Sequence, residues 1–190
     1  MVMTVGTGIF ALESKSMWIF GYGSLMEDGW EKEFACLRRE RAALTGYERS
    51  FSKASTLNWG SKDDPAPTLR VVPREGAVCR GIAFEFETSR EDAVIAYLSK
   101  REGQSFWRRQ VKLTLDAGQA VQGCCFFYEG KNLIQATNVE EVAAMVLRAR
   151  GRDGSALDYL RNTKDAVDRM GFRDEAVETL WAAVLQMQKS

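Results

Sequence analysis

Two glycines flank a tyrosine near the start of the chain, directly after a short apolar run. The run is Trp18-Ile19-Phe20, and the chain continues as Gly21-Tyr22-Gly23-Ser24-Leu25-Met26. Glycine allows backbone conformations in which several N–H groups turn toward one point, and such a group of donors binds an anion. A tight turn that only ends a strand would have the same composition. The segment lacks the third glycine of a dinucleotide fingerprint and the lysine of a P-loop, which disfavours nucleotide binding.

The second candidate for chemistry is Glu102, which lies between Arg101 and Gly103 and shortly before the aromatic pair Phe106-Trp107. If the glutamate is desolvated there, its pKa rises and it suits general acid/base catalysis. The alternative interpretation is a surface glutamate that pairs with Arg101 or with Lys100.

Histidine is absent from the chain. Its absence excludes Ser-His-Asp and Cys-His nucleophile pairs, HExxH zinc sites and the usual general base near neutral pH. Acid/base chemistry must therefore use carboxylates, lysine or tyrosine. The four cysteines have no CxxC spacing, and we interpret them as reduced core thiols of a cytoplasmic protein. They are Cys36, Cys79, Cys124 and Cys125.

Charge and hydropathy point to a small-molecule partner. The 26 lysines and arginines balance the 26 aspartates and glutamates, so no net field attracts nucleic acid or an anionic membrane. No apolar run approaches the roughly twenty residues that span a bilayer. Residues 1–16 are expected to be a flexible N-terminal extension and not a signal peptide, because no basic residue precedes their apolar stretch. Residues 17–188 are expected to form one domain.

The strands that must position these residues are predicted from apolar runs and from alternation. Trp18 to Tyr22 is predicted to be a buried strand that leads into the glycine loop. Alternation predicts two half-buried strands, one over Ile82–Glu87 and one over Trp107–Leu115. Val121–Tyr128 follows an Asp116-Ala117-Gly118 turn, which predicts an antiparallel hairpin with the preceding strand.

Extended patterns also cover Leu44–Ser55 and Thr68–Val72, on either side of an exposed loop at Asn58–Pro65. Ser89, with Asp92 three residues on, resembles the start of a helix that ends near Lys100-Arg101. Three further helices are predicted in the last third of the chain, with caps at Asn138, Ser155 and Asp174. This order of strands and helices favours a single α+β domain, mainly a small antiparallel β-barrel or curved sheet with flanking helices.

The two candidate segments, in this order and at this separation, resemble a known family. Trp18 to Met26 closely resembles the opening motif of the ChaC-type γ-glutamylcyclotransferases, and Arg101-Glu102-Gly103 resembles the segment with the family's catalytic glutamate. The resemblance covers roughly Met17 to Trp181. Further matching segments are Arg49-Ser50-Phe51, Trp59-Gly60, Cys79-Arg80-Gly81-Ile82-Ala83-Phe84 and Tyr159-Leu160-Arg161-Asn162-Thr163.

The resemblance implies a γ-glutamylcyclotransferase-like fold and a cyclisation reaction. The free α-amino group of a γ-glutamyl amide attacks its own γ-carbonyl, which yields 5-oxoproline and a free amine, Cys-Gly in the case of glutathione. Glu102 is implied as the general acid/base, and the reaction requires no cofactor or metal. The loop is implied to bind the substrate's α-carboxylate or the oxyanion through its N–H groups; its residues are Gly21, Tyr22, Gly23, Ser24, Leu25 and Met26.

Several residues leave the substrate open. Phe106 stands about where relatives commonly have tyrosine, so a hydroxyl contact to substrate is absent or replaced. Arg49, Arg70 and Arg80 are candidates for binding a second substrate carboxylate, against the commoner role of solvated surface arginines. The alternatives to a glutathione enzyme are a cyclotransferase for another γ-glutamyl amine and a binding domain that holds an acidic metabolite without reaction.

Overall fold

Five strands form a closed barrel in the order β1-β3-β2-β4-β5 in the computed structural model, which describes residues 16–189. Paired strands run antiparallel, except that β1 pairs with β5 in parallel and so closes the barrel. The predicted extension over residues 1–16 lies, apart from Ser16, outside the described residues. The strands are β1 Ser16–Gly21, β2 Arg38–Ser55, β3 Ala66–Glu87, β4 Phe106–Leu115 and β5 Ala120–Tyr128.

Along the described chain, one α-helix lies between two barrel strands and three follow the last barrel strand. Helix α1, Glu91–Glu102, connects β3 to β4. The later helices are α2 Val139–Arg148, α3 Ala156–Arg169 and α4 Glu175–Met187. Two short strands, β6 Arg150–Gly151 and β7 Gly154–Ser155, pair with each other between α2 and α3. The α+β class, the barrel and the helical last third are therefore confirmed.

The last three helices begin at the predicted caps. At each cap, a side-chain oxygen accepts the N–H of the third helical residue, which satisfies a donor that the first turn leaves free. The capping residues are Asn138, Ser155 and Asp174. Ser89, the predicted cap of α1, differs from these three. Its hydroxyl donates to Glu87 at 3.2 Å, and the described cap position of α1 has no side-chain cap hydrogen bond. A short 3-10 turn, Thr88–Arg90, leads into α1 instead, so the prediction for Ser89 was wrong.

The two half-buried strands differ from their prediction in opposite ways. Over Ile82–Phe86 of β3 both faces are covered, and Glu85, which alternates with the apolar residues, is only 9% exposed. Its carboxylate is satisfied by the Arg38 guanidinium at 2.5 Å and the Ser16 hydroxyl at 2.6 Å. On β4 Trp107, which alternation groups with the buried Val111, Leu113 and Leu115, is 60% exposed, so burial on that face begins only at Val111. Within residues 16–189 no helix is long and apolar enough to cross a membrane.

Candidate active site

A cavity of about 510 Å³ opens where β1 ends, beside the C-terminal end of α1. Its wall combines the glycine loop, the C-terminal end of β2 and the first residues of β3 with the segment that connects α1 to β4. The barrel topology brings these pieces together from distant parts of the sequence. Among the lining residues are Tyr22, Gly23, Ser24, Leu25, Lys53, Glu102, Phe106, Tyr128 and Tyr159.

Glu102 is the last residue of α1, and its side chain is 17% exposed on the cavity wall. The helix ends there because Gly103 adopts φ 82°, a conformation that favours glycine. Burial raises the pKa of Glu102 above its ordinary value, and the nearby Asp28 raises it further. The cations Arg101 and Lys53 oppose this rise, but they do not cancel it. A carboxyl group with a raised pKa fits acid/base catalysis better than a solvated one does.

Glu102 is not a surface residue in a close ion pair, which was the alternative interpretation. Arg101 pairs with Asp28 and donates to the Ser24 hydroxyl at 3.3 Å. Its Nε atom is 3.9 Å from the Glu102 carboxylate, which is a loose contact. Arg101 thus connects the end of α1 to the glycine loop and leaves the Glu102 carboxylate facing the cavity.

Four of the six predicted loop residues line the cavity, and two do not. Tyr22, Gly23, Ser24 and Leu25 line it, whereas Met26 is buried in the core and Gly21 lies within β1. Gly21 has a packing role, since a Cβ atom there would lie 3.0 Å from the Leu25 Cβ. Met26 closes a short 3-10 turn by donating its N–H to the Gly23 carbonyl at 2.9 Å.

The main-chain donors of this loop are open to a ligand. Neither Gly21 nor Gly23 has a positive φ, and Gly23 has φ −136°. No hydrogen bond among the described residues uses the N–H of Gly23, Ser24 or Leu25 as its donor. Because all three residues line the cavity, these N–H groups can bind an anionic or carbonyl oxygen there.

Two tyrosines on the cavity wall keep their hydroxyl protons. Burial raises the pKa of Tyr159 to about 12, and its hydroxyl oxygen accepts the N–H of Leu69 at 3.1 Å. Burial also raises the pKa of Tyr22 well above its ordinary value, and the Tyr22 hydroxyl donates to the Phe126 carbonyl at 3.1 Å. Both hydroxyls are therefore neutral and neither can act as a base at neutral pH.

Lys53, near the end of β2, is a charged cavity residue that the sequence analysis missed. Its Nζ atom lies 5.8 Å from the centre of the Phe106 ring, 5.5 Å from that of Tyr128 and 3.5 Å from the Thr68 hydroxyl. Burial lowers the pKa of Lys53, while the charge of Glu102 partly restores it. Alternation was the available signal, because Lys53 stands two residues after the buried Phe51 in an extended segment.

Phe106, at the position where the family resemblance led us to expect tyrosine, lines the cavity with an apolar ring. The ring packs edge-on against Tyr128, with 5.2 Å between the ring centres. The Tyr128 hydroxyl bonds with the main chain of Asn132, accepting its N–H at 3.1 Å. Any hydroxyl contact that a tyrosine would offer at position 106 is therefore absent from this wall.

The three arginines considered for a second substrate carboxylate do not line this cavity. Arg70 donates to the Ser52 hydroxyl at 2.8 Å, and the Arg80 guanidinium lies 5.7 Å from the centre of the Phe172 ring. Arg49 is buried behind the glycine loop. None of these candidates is therefore placed to bind a substrate carboxylate in this cavity. Over the described part of the chain, no cluster of cysteine and carboxylate side chains has the geometry of a metal site.

The protein is thus a small α+β barrel protein whose cavity is lined by a half-buried glutamate and by a loop with main-chain N–H groups that are unpaired among the described residues. The family model described as ChaC-like protein matches residues 17–187. The chain therefore belongs to the ChaC-like family.

Named relatives resemble the chain over most of its length. Gamma-glutamylcyclotransferase 2-3 of Arabidopsis thaliana is 29% identical, covering 87% of this chain and 86% of the relative. The glutathione-specific gamma-glutamylcyclotransferase of Escherichia coli is 25% identical over 90% of this chain and 74% of its own length. A crystal structure of a yeast γ-glutamyl cyclotransferase specific to glutathione has the same fold, with a TM-score of 0.78 at 18% identity. It covers 90% of this chain and 96% of the yeast chain.

Proposed function

We propose that this protein is a γ-glutamylcyclotransferase that converts glutathione into 5-oxoproline and Cys-Gly, and that it does so in the cytoplasm. Membership of the ChaC-like family and the two relatives named as γ-glutamylcyclotransferases support this function. The observation that carries it is local: Glu102 lines one cavity together with Gly23, Ser24 and Leu25, three residues whose N–H groups donate no hydrogen bond among the described residues. The four cysteines are free thiols, which fits a reducing compartment.

The reaction exchanges one amide bond for another within the γ-glutamyl group. The α-amino nitrogen forms a bond to the γ-carbonyl carbon, and the bond from that carbon to the cysteinyl nitrogen breaks. Starting from the ammonium form, the attacking nitrogen gives up two protons, one before attack and one as the lactam forms, and the departing nitrogen takes up two as Cys-Gly leaves as an ammonium ion. No oxidant, reductant or water molecule enters this balance.

Glu102 is the group that moves the proton in this proposal. The attacking amine must lose a proton, and an α-ammonium group has a pKa of about 8. Burial raises the pKa of Glu102, which brings it closer to that of the amine and makes proton transfer easier. The same carboxyl group then returns the proton to the departing nitrogen of Cys-Gly.

The glycine loop stabilises the charge that develops on the substrate. When the amine attacks, the γ-carbonyl oxygen becomes an oxyanion, and the N–H groups of Gly23, Ser24 and Leu25 are the open donors that line the cavity. Losing one such donor typically costs about 3 kcal/mol of transition-state stabilisation. The cavity also holds the flexible glutamyl chain in the folded form that cyclises, which is an effect of orientation.

The test is Glu102→Gln, which keeps the shape of the side chain and removes the base. We expect it to lower 5-oxoproline formation from glutathione by about 10³-fold, measured by chromatography of the product. The matched control is Glu91→Gln on the first turn of the same helix, where the carboxylate pairs with Arg108 outside the cavity. Undiminished turnover in Glu102→Gln would eliminate Glu102 as the base.

A further inference from the structure

Arg49 is a buried cation that no substrate can reach through the cavity. Its side chain is fully enclosed, with 0% exposure, and it lies on the far side of the glycine loop from the cavity. Its Nε atom donates to the Tyr22 carbonyl at 2.8 Å. The guanidinium also contacts the Met26 sulfur at 3.4 Å and donates to the Arg80 carbonyl. Two of these contacts are therefore made to the loop itself.

The bond to Tyr22 fixes a peptide unit that also belongs to Gly23. Described peptide bonds are all trans, and in a trans unit the C=O of one residue and the N–H of the next point in opposite directions. When Arg49 draws the Tyr22 carbonyl away from the cavity, the Gly23 N–H must point the other way. Gly23 lines the cavity, and no described hydrogen bond uses its N–H as donor.

The carboxylate of Asp174 holds Arg49 in this position. Its Oδ2 atom is 2.7 Å from Arg49 Nη1, while its Oδ1 atom caps helix α4 by accepting the Val177 N–H at 3.2 Å. Since α4 is packed on the rest of the domain, the guanidinium has a fixed reference point. The ion pair thus joins the start of α4 to the glycine loop across 125 residues of sequence.

We propose that Arg49, held by Asp174, is a positioning residue that aims the Gly23 N–H at the oxyanion of the reaction. The inference rests on the proposed function and assigns a task to one donor of the loop. Arg49 touches no substrate. It acts by fixing the orientation of the Tyr22–Gly23 peptide unit, so its effect is on the transition state and not on ground-state binding.

The test combines kinetics with a direct reading of the Gly23 amide. Arg49→Lys keeps a charge for Asp174 but cannot bond Asp174, the Tyr22 carbonyl and the Arg80 carbonyl together as the guanidinium does. We expect kcat for 5-oxoproline formation to fall by about 100-fold with KM changed by less than about threefold. The ¹⁵N–¹H resonance of Gly23, assigned by its loss in Gly23→Ala, should shift in Arg49→Lys. Arg80→Met, at an adjacent arginine that stacks on Phe172, is the control and should leave kcat and this resonance as in the wild type.

Asp174→Asn is the second variant, because a buried arginine is costly to replace. Asparagine caps α4 as well as aspartate does but removes the charge that holds Arg49, so kcat should fall about 10-fold with KM unchanged. A folded Arg49→Lys with wild-type kcat, or with a loss confined to KM, overturns the inference. If Arg49→Lys does not fold, wild-type kcat in Asp174→Asn overturns it. If the wild-type protein forms no 5-oxoproline, the proposed function is refuted. In that case the positioning role is tested by NMR alone, and an unshifted Gly23 resonance in Arg49→Lys refutes it.

Discussion

At the scale of single residues, opposing influences set the acidity of Glu102. Burial raises its pKa, while the charges of Arg101 and Lys53 lower it. Arg101 is already paired with Asp28, whereas the contacts of the Lys53 ammonium are a hydroxyl and two aromatic rings. Lys53 is therefore the residue whose removal changes the acidity of Glu102 with the least disturbance elsewhere.

Lys53→Met should shift the acid limb of the pH profile of kcat/KM to higher pH. The substitution keeps an apolar side chain between the rings of Phe106 and Tyr128 but removes a cation that lowers the pKa of Glu102. A higher pKa means that the carboxylate form, which acts as the base, is populated only at higher pH. The measurement is initial rates of 5-oxoproline formation across the acid range.

The control for this experiment is Lys62→Met, at an exposed lysine in the loop between β2 and β3. Its acid limb should coincide with that of the wild type. An acid limb in Lys53→Met that stays in place, or that moves to lower pH, would contradict the electrostatic coupling of Lys53 to Glu102.

At the scale of elements, the end of α1 determines where Glu102 points. Gly103 stops the helix with φ 82°, and a methyl group there would meet no described atom within 4 Å. Gly103→Ala therefore tests backbone conformation without a steric clash. We expect a loss of about 1 kcal/mol in the free energy of unfolding, together with a fall in kcat of about 10-fold because Glu102 is displaced. Urea titration and product assays measure the two effects.

Gly118, in the turn between β4 and β5, is a matched control for Gly103. It has φ 83° and equally open surroundings, but it lies outside the cavity. Gly118→Ala should lose a similar free energy of unfolding and keep its kcat. Equal kcat values in the two variants would show that the conformation at Gly103 does not control the position of Glu102.

Elements with a local signal could be predicted from the sequence, and long pairings could not. The caps of the last three helices and the β4–β5 hairpin depend on neighbouring residues, and both were predicted. Strand β3 was predicted as two separate segments, Thr68–Val72 and Ile82–Glu87. Between them lie Pro73 and Gly76, residues that normally weaken or end strands. In the structure β3 is continuous, and a register shift of β2 between Thr45 and Tyr47 lies opposite this stretch. This bulge accommodates Pro73 and Gly76 within β3, and it can be recognised only from the pairing of β2 with β3.

The same distinction applies to the candidate site. The loop and Glu102 carry local motifs, so their residues could be named from the sequence, although their roles remain predictions. Arg49 and Asp174 lie 125 residues apart, and only the folded chain brings them together. Lys53 had a weak signal in strand alternation. Its closeness to Glu102 depends on how α1 packs beside the barrel.

At the scale of the whole molecule, the fold encloses charges that would be more stable in water. In the cavity wall, burial raises the pKa of the Glu102 carboxyl group and lowers that of the Lys53 ammonium group. Both shifts favour the neutral form of the side chain. Such shifts reduce the stability of the folded state at the pH where the group is ionised. The packed core of the barrel offsets this cost, as is usual where a functional site conflicts with stability.

Glu102→Gln should therefore gain stability relative to the wild type as the pH rises. The folded protein holds the Glu102 proton to higher pH than the unfolded chain does, because burial raises its pKa. Stability from the protonated carboxyl is complete below the unfolded pKa and is lost as the pH rises through the folded pKa. Glutamine has no such titration, so the difference in Tm between variant and wild type should increase as the pH rises above about 4, the pKa of the unfolded glutamate, and should level off above the folded pKa. Glu102→Met lacks the same proton and should show the same slope with a different offset. A Tm difference that is constant over this range, in both variants, would mean that the Glu102 carboxyl is not desolvated in the folded protein.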